Sequence, residues 1–143
     1  MLPSSRLKRF AKYAWASPAS AVGLLLAVPL WACGAHASRV AGVLEVGGGP
    51  LAAWLRRLPA ACRFSAITFG HVILGVDRAA LADCREHEHV HVRQYEKLGL
   101  LFFPLYLGSS LWQALRGGDP YLDNCFEREA FAHSDPRDRP RTG

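Results

Sequence analysis

The chain has 143 residues, of which half are hydrophobic and 20% are charged, and its formal net charge is +5. This length fits one domain with a modest core. The excess of cations lies mainly in the first 12 residues and in an arginine-containing tail without interleaved aromatic residues, which excludes the pattern of a nucleic-acid-binding protein and makes membrane lipid the expected acidic partner.

The first predicted element directs the chain to a membrane. Residues 1–18 contain no acid, residues 19–32 are uncharged, and Ala35-His36-Ala37 fits a signal-peptidase site. Residues 1–37 are therefore predicted to be a signal peptide or, alternatively, an uncleaved membrane anchor. The basic front predicts that the domain beyond it is exported across a bacterial-type inner membrane, with secretion after cleavage near Ala37 as the alternative.

The pattern between residues 39 and 76 is typical of strands. Residues 40–46 form a short β-branched run before a glycine-rich turn, and residues 51–58 predict a short amphipathic helix. Residues 64–74 predict a second strand, in which Gly70 indicates a bulge or a close backbone approach. His71 on this strand is a candidate cleft residue, although a strand histidine more often satisfies a local hydrogen bond.

The next segment contains a candidate metal-binding motif, because His87-Glu88-His89-Val90-His91 fits H-E-x-x-H. On a helix, positions i and i+4 share a face, so His87 and His91 can bind one Zn²⁺ ion. Glu88 is then placed as the general base for a water molecule that zinc activates. The alternative is a polar helix face with solvated histidines.

The helix that carries this motif is predicted to begin near Asp83, with Glu86 completing a capping box, or earlier at Asp77, and to end before Gly99. Gln94 is a candidate for hydrogen bonding to a ligand. His89 points away from the face of the two ligand histidines.

An uncharged apolar stretch follows at residues 98–115. Its eighteen residues are at the lower limit for a membrane span, and a full crossing would separate the two histidines from every later residue. If the third ligand is downstream, this stretch is predicted to be a buried helix, a hairpin or an interfacial segment.

A short helix is predicted after the break at residues 117–120, capped by Asp123 or Asn124. Two acids of this helix, Glu127 and Glu129, compete for the role of third metal ligand. A Cys84–Cys125 disulfide that would tie the two metal-bearing elements together is a hypothesis, and two small buried thiols are the alternative.

The H-E-x-x-H motif followed by Glu127-x-x-Ala130 resembles the zincin metallopeptidases, and in particular gluzincins of the HtpX and CAAX prenyl endopeptidase types. The resemblance covers about residues 64–133. It implies that His87, His91 and Glu127 bind zinc and that Ala130 lets the second helix pack closely. These families have Asp after Ala130, whereas this chain has Phe131. The orienting contact that this acid would give is therefore expected either to be missing or to be supplied elsewhere, with Asp123 and Asp135 as the candidates.

The predicted fold class is therefore α+β, a minimal zincin-like domain with a small sheet over residues 38–133, an H-E-x-x-H helix and a second ligand-bearing helix, after an N-terminal hydrophobic helix. Residues 134–143 are charged and predicted to be disordered. The expected function is a membrane-associated zinc metallopeptidase acting on a peptide or protein substrate. The alternative is a membrane-anchored metal-binding or interaction module without turnover.

Overall fold

A computed structural model of the chain describes residues 4–55, 57 and 64–134. The elements in chain order are α1 (Ser4–Ala32), β1 (His36–Val40), β2 (Val43–Gly47), α2 (Pro50–Leu55), β3 (Ala66–Phe69), β4 (Val72–Gly75), α3 (Arg78–Leu98), a 3₁₀ turn (Gly99–Leu101), α4 (Phe102–Leu115) and α5 (Cys125–His133). The predicted α+β class is confirmed. Beyond Ser134, the predicted disordered tail lies outside the described residues.

The four strands form one sheet in the order β1-β2-β4-β3. β1 and β2 are an antiparallel hairpin, β3 and β4 are a second antiparallel hairpin, and the parallel pairing of β2 with β4 joins the two. β1 and β3 are therefore the edge strands of this sheet.

Both strands predicted from the sequence are interrupted by a tight turn. Residues 40–46 do not form one strand, because the chain reverses at Ala41 and Gly42, whose φ angles of 49° and 88° fit a type I′ turn. Residues 64–74 reverse at Gly70 and His71 instead of bulging. The φ of 59° at Gly70, the first turn position, fits a type II′ turn.

The sheet lies between two helices. On one face, α1 packs against a cluster whose buried members are Ala27, Ala35, Val46, Val72 and Leu74. On the other face, α3 packs against a second cluster with Val43, Ile73, Leu81 and Val92. Strand alternation explains this division, since neighbouring residues of β2 and β4 point to opposite faces.

Small residues let α1 lie close to the sheet. Ala16, Ala19 and Ala27 are buried on one stripe of the helix, and a Cβ placed at Gly23 would come within 2.6 Å of the Cβ of Val72. The Oγ of Ser20 accepts a hydrogen bond of 2.9 Å from the backbone N–H of His71. The predicted cleavage point between residues 37 and 38 falls inside β1; cleavage itself stays a prediction.

The helix α3 begins at Arg78 because Asp77 caps it, with Oδ1 accepting from the backbone N–H of Ala80 at 2.8 Å. The predicted start near Asp83 is therefore wrong, and the earlier alternative at Asp77 is correct. The predicted end is confirmed, since Gly99 has a φ of 57° and its N–H bonds to the carbonyl of Tyr95.

The apolar stretch after α3 forms the 3₁₀ turn and α4, and most of its large side chains are exposed. The buried-helix alternative is therefore wrong. Two stretches, Ser5–Ala32 and Arg78–Leu115, are long and apolar enough to cross a membrane by length and composition alone. After α4 the chain turns back, and α5 packs against both α3 and α4. Asn124, one of the two predicted caps, caps α5. Its Oδ1 accepts a hydrogen bond from the N–H of Phe126.

Candidate metal centre

The two histidines of α3 and one acid of α5 meet in the interior. Nε2 of His87 lies 3.2 Å from Nε2 of His91 and 2.9 Å from Oε2 of Glu127, and Nε2 of His91 lies 3.4 Å from Oε1 of Glu127. All three residues are buried. The alternative of a solvated histidine face is therefore wrong, because one helical turn and the packing of α5 bring the three side chains together.

The three side chains could hold one metal ion, because a ligand atom from each lies within 4.8 Å of the others. Zinc binds imidazole nitrogen and carboxylate oxygen at about 2.0–2.2 Å, so two ligands of a tetrahedral site are about 3.3 Å apart. The separations between the three facing groups are 2.9, 3.2 and 3.4 Å. The donor set of two imidazoles and one carboxylate is also that of catalytic zinc sites that keep a fourth position for water.

Gln94 determines which nitrogen of His91 faces this group. Its Nε2 donates to the carbonyl of Phe126 at 3.0 Å and to Oε2 of Glu129 at 2.9 Å, so its Oε1 must accept from Nδ1 of His91, 2.8 Å away. A neutral His91 with the proton on Nδ1 presents the lone pair of Nε2 to the other two ligands. The structure therefore gives Gln94 the supporting contact that the sequence suggested.

Glu129, the alternative third ligand, does not join the group. Its carboxylate bonds to Gln94 and lies 3.5 Å from Nζ of Lys97, and its side chain is 41% exposed. Two residues along a helix correspond to a rotation of about 200°, so Glu127 and Glu129 cannot face the same point. The structure brings only Glu127 to the two histidines.

The candidate base Glu88 is buried beside the ligands. Thr68 on β3 donates a hydrogen bond of 2.7 Å to its Oε2. Burial raises the pKa of Glu88, against the opposing effects of His91, Thr68 and His87. A carboxyl group whose pKa moves toward neutrality is better suited to take and return a proton at physiological pH.

Tyr106 of α4 holds Glu127, the candidate third ligand, because its Oη donates to Oε1 of Glu127 at 2.6 Å. Burial raises the pKa of Glu127, but hydrogen bonds from His87 and His91 outweigh that effect and lower it to about 2. Glu127 is therefore ionised at neutral pH, as a metal ligand must be.

Phe131 occupies the position at which the resemblance implies an aspartate. Its ring lies 4.6 Å from the ring of His87, and the buried Nδ1 of His87 has no hydrogen-bond partner among the described residues. The proposed substitute Asp123 is not there, because its Oδ2 accepts from the N–H of Asp119 in the turn before α5. Asp135 lies outside the described residues.

The other two histidines near the motif have different surroundings. His71 lies in the turn between β3 and β4, where its ring stacks on Tyr13 at 3.9 Å and its Nε2 lies 3.1 Å from Oε1 of Glu96. These contacts join α1 to α3 and do not involve His87, His91 or Glu127, so a role for His71 in a substrate cleft stays a prediction. His89 faces the sheet, 3.7 Å from Glu45, which Arg85 binds with two hydrogen bonds.

The structure does not contain the hypothesised Cys84–Cys125 bridge. Cys125 is an exposed free thiol at the start of α5, and its Sγ accepts a hydrogen bond from Ser109 at 3.4 Å. The link between the two metal-bearing helices is instead made by Gln94 and by the ligands themselves.

Two residues that contact the site, Thr68 and Tyr106, were missed by the sequence analysis. Thr68 is one of several hydroxyl residues, and only the pairing of β3 with β4 places it over Glu88. Tyr106 was detectable as the single residue with a phenolic hydroxyl in the apolar stretch 98–115, but its partner depended on the path of α5.

Comparison of the chain with known protein families, with curated proteins and with solved structures gives no match. The chemistry of the site must therefore be judged from its own geometry.

Proposed function

We propose that the protein is a membrane-associated zinc-dependent metallopeptidase that hydrolyses peptide bonds. The observation that carries this proposal is the meeting of His87, His91 and Glu127 beside a buried Glu88. Two imidazoles and a carboxylate bind zinc, and an adjacent carboxylate can move a proton.

A zinc ion held by the three ligands would polarise the substrate carbonyl and lower the pKa of water to about 7. Glu88 takes a proton from the attacking water as the new C–O bond forms. It then returns this proton to the amide nitrogen as the C–N bond breaks, so that a carboxylic acid and an amine leave. Thr68 holds Oε2 of Glu88 and thereby positions the carboxylate for both transfers.

The edge strand β3 supplies a surface for an extended substrate. Thr68 on this strand reaches Glu88 while the strand pairs with β4 along one side. An extended peptide can pair with the other side of an edge strand through its backbone. This arrangement would bring a scissile bond beside the metal ligands.

The test compares Glu88→Gln with Glu86→Gln, which makes the same change at an exposed position of the same helix. We expect the wild-type protein to bind one zinc ion and cleave peptides from a broad library. Glu88→Gln should retain zinc and lose at least a hundredfold in kcat, because the base is lost and the ligands remain. Glu86→Gln should match the wild type. Retained turnover in Glu88→Gln would contradict the proposal.

One observation favours a second candidate, a metal-binding module without turnover. Phe131 replaces the expected acid, and Nδ1 of His87 lacks a partner among the residues described. Zinc at one equivalent together with no cleavage of any library peptide by the wild-type protein would favour this candidate over the peptidase.

A further inference from the structure

Two helices expose large apolar side chains over long uncharged stretches. No Asp, Glu, Lys or Arg occurs between Lys12 and Arg39 or between Lys97 and Arg116. On α1 the exposed side chains beyond residue 12 are Trp15, Val22, Leu24, Leu25, Leu26, Val28 and Trp31. On the 3₁₀ turn and α4 they are Leu100, Leu101, Phe103, Leu105, Leu107, Leu111, Trp112 and Leu115. We call these two sets together the apolar face.

The two parts of the apolar face are continuous. The indole of Trp15 packs on the backbone of Gly99, where an added Cβ would lie 2.8 Å from the ring. Trp15 is 55% exposed, and the next residues of the 3₁₀ turn, Leu100 and Leu101, are 56% and 60% exposed. Apolar surface of this extent on a small domain marks an interaction site.

The opposite side of α1 argues against a helix that crosses a bilayer. Its buried stripe of Ala16, Ala19 and Ala27 is packed in the domain, with Gly23 in contact with Val72 of β4. If α1 crossed the hydrocarbon region, it would carry into lipid the sheet that holds the Glu45 carboxylate. The 14 residues of α4 extend about 21 Å, and the 3₁₀ turn before it adds about 6 Å, so the two together are shorter than the roughly 30 Å hydrocarbon core.

The charges around the apolar face suit lipid headgroups. Lys8 and Arg9 lie at the start of α1, and Arg116 follows α4 with its guanidinium 5.5 Å from the ring centre of Trp112. Cations and tryptophan at the borders of an apolar surface are typical of segments that lie in the membrane interface.

We propose that the apolar face inserts into one leaflet of an anionic bilayer and that neither α1 nor α4 crosses it. Both ends of α1 are then on the same side of the membrane, in contrast to the exported domain that the basic front predicts. This inference depends on the apolar face and does not require that the protein hydrolyse peptides.

The position of the metal centre relative to the lipid follows from α4. Tyr106 on the inner side of this helix donates to Glu127, while Leu107 beside it is exposed. One helix diameter is about 10 Å, so the ligands lie at about the depth of the headgroups. This step rests on the proposed function: the substrate class of the peptidase is a peptide segment next to the bilayer surface.

The first test determines on which side of the membrane the ends of α1 lie. Reporter thiols are introduced one at a time by Ser5→Cys and Arg39→Cys, both at exposed positions, in a full chain whose native cysteines are replaced by serine. The protein is added to preformed vesicles of phosphatidylcholine with 30% phosphatidylglycerol and treated with a maleimide that cannot cross membranes. Equal labelling of both reporters is expected. Labelling of only one until the vesicles are lysed would overturn the proposal.

The second test measures vesicle binding by flotation. The double variant Leu107→Glu with Leu111→Glu should bind at least tenfold less than the wild type. The control, Ala79→Glu with Ala82→Glu, adds the same two charges at exposed positions of α3 and should bind normally. Equal binding of the two variants would overturn the proposal, as would equal wild-type affinity for vesicles without phosphatidylglycerol. A stable wild-type dimer that ignores vesicles would assign the apolar face to a second copy of the chain instead. None of these readouts requires hydrolysis.

Discussion

The carboxamide of Gln94 connects His91, a candidate metal ligand, to α5. It accepts from His91 and donates to the backbone of α5 and to Glu129. Such contacts fix the orientation and the tautomer of a ligand histidine, and their loss typically costs 10- to 100-fold in metal affinity.

We therefore expect Gln94→Leu to weaken zinc binding about 10- to 100-fold at pH 7, as measured by competition with a chelating indicator. Gln113→Leu is the matched control, because it makes the same change on α4. Zinc affinities that agree in the two variants would show that Gln94 does not orient His91.

The candidate ligands could be predicted from spacing, and Gln94 was a candidate from its place on the same helix, whereas the contact of Thr68 could not be predicted. His87 and His91 share a helix face by periodicity alone, and Glu127 was one of two acids considered. The choice between Glu127 and Glu129 required the rotation of α5 about its own axis. Thr68 comes from a different element, and no spacing rule connects it to Glu88.

Two glycines, one on α1 and one on α4, show which surface of a helix is packed. Gly23 of α1 lies against Val72, whereas an added Cβ at Gly108 of α4 would meet nothing within 4 Å. Alanine stabilises a helix by about 0.5–1 kcal/mol relative to glycine, but overpacking typically costs about 1–3 kcal/mol.

The same substitution should therefore act in opposite directions at these two positions. We expect Gly108→Ala to raise the free energy of unfolding by up to about 1 kcal/mol and Gly23→Ala to lower it. Denaturant unfolding of both variants in the same detergent provides the measurement. Stabilisation by Gly23→Ala would mean that α1 does not pack on β4 as described.

The type of each element was easier to predict than the residues at which it begins and ends. Residues of strand type stand on both sides of the turns at residues 41–42 and 70–71, so each segment resembles a single strand in the sequence. Ala41 with its positive φ is not a residue that signals a turn. The glycine at position 99, by contrast, ends α3 where the sequence predicted.

At the level of the whole molecule, one charged side chain joins α1 to α3. Glu96 of α3 accepts a hydrogen bond of 2.9 Å from Lys12 of α1 and lies 3.1 Å from the ring of His71. Burial raises the pKa of Glu96, but Lys12 and His71 outweigh this effect and lower it.

A carboxyl group whose pKa is lower in the folded state stabilises the protein above its unfolded pKa, which is about 4.3, and this contribution is lost as the pH falls through the folded value. We therefore expect Glu96→Gln to be less stable than the wild type at pH 7, by no more than about 1 kcal/mol because Lys12 is 56% exposed. The difference should shrink towards pH 3. Unfolding is measured with a chelator present, and Glu86→Gln, at an exposed position of the same helix, is the control.

The packing of α1 also gives an expected result for the predicted signal peptide. A chain that begins at Ser38 loses one layer of the sheet's packing and two residues of β1, His36 and Ala37. We expect it to lack a cooperative unfolding transition and the near-ultraviolet circular dichroism of packed aromatic rings. Removal of residues 135–143 is the control and should leave both signals. A folded chain from Ser38 that binds zinc would instead support a removable leader.

The helix α4 takes part in both the candidate metal centre and the apolar face. The hydroxyl of Tyr106 donates to Glu127, while its neighbours Leu105 and Leu107 are exposed. If contact with lipid displaces this helix, the carboxylate moves with it. Thermodynamic reciprocity then requires that metal occupancy alter attachment to a membrane by the same factor by which attachment alters metal affinity. Such cooperativity would make the protein a detector of coincidence, responding to a surface and to a cation together.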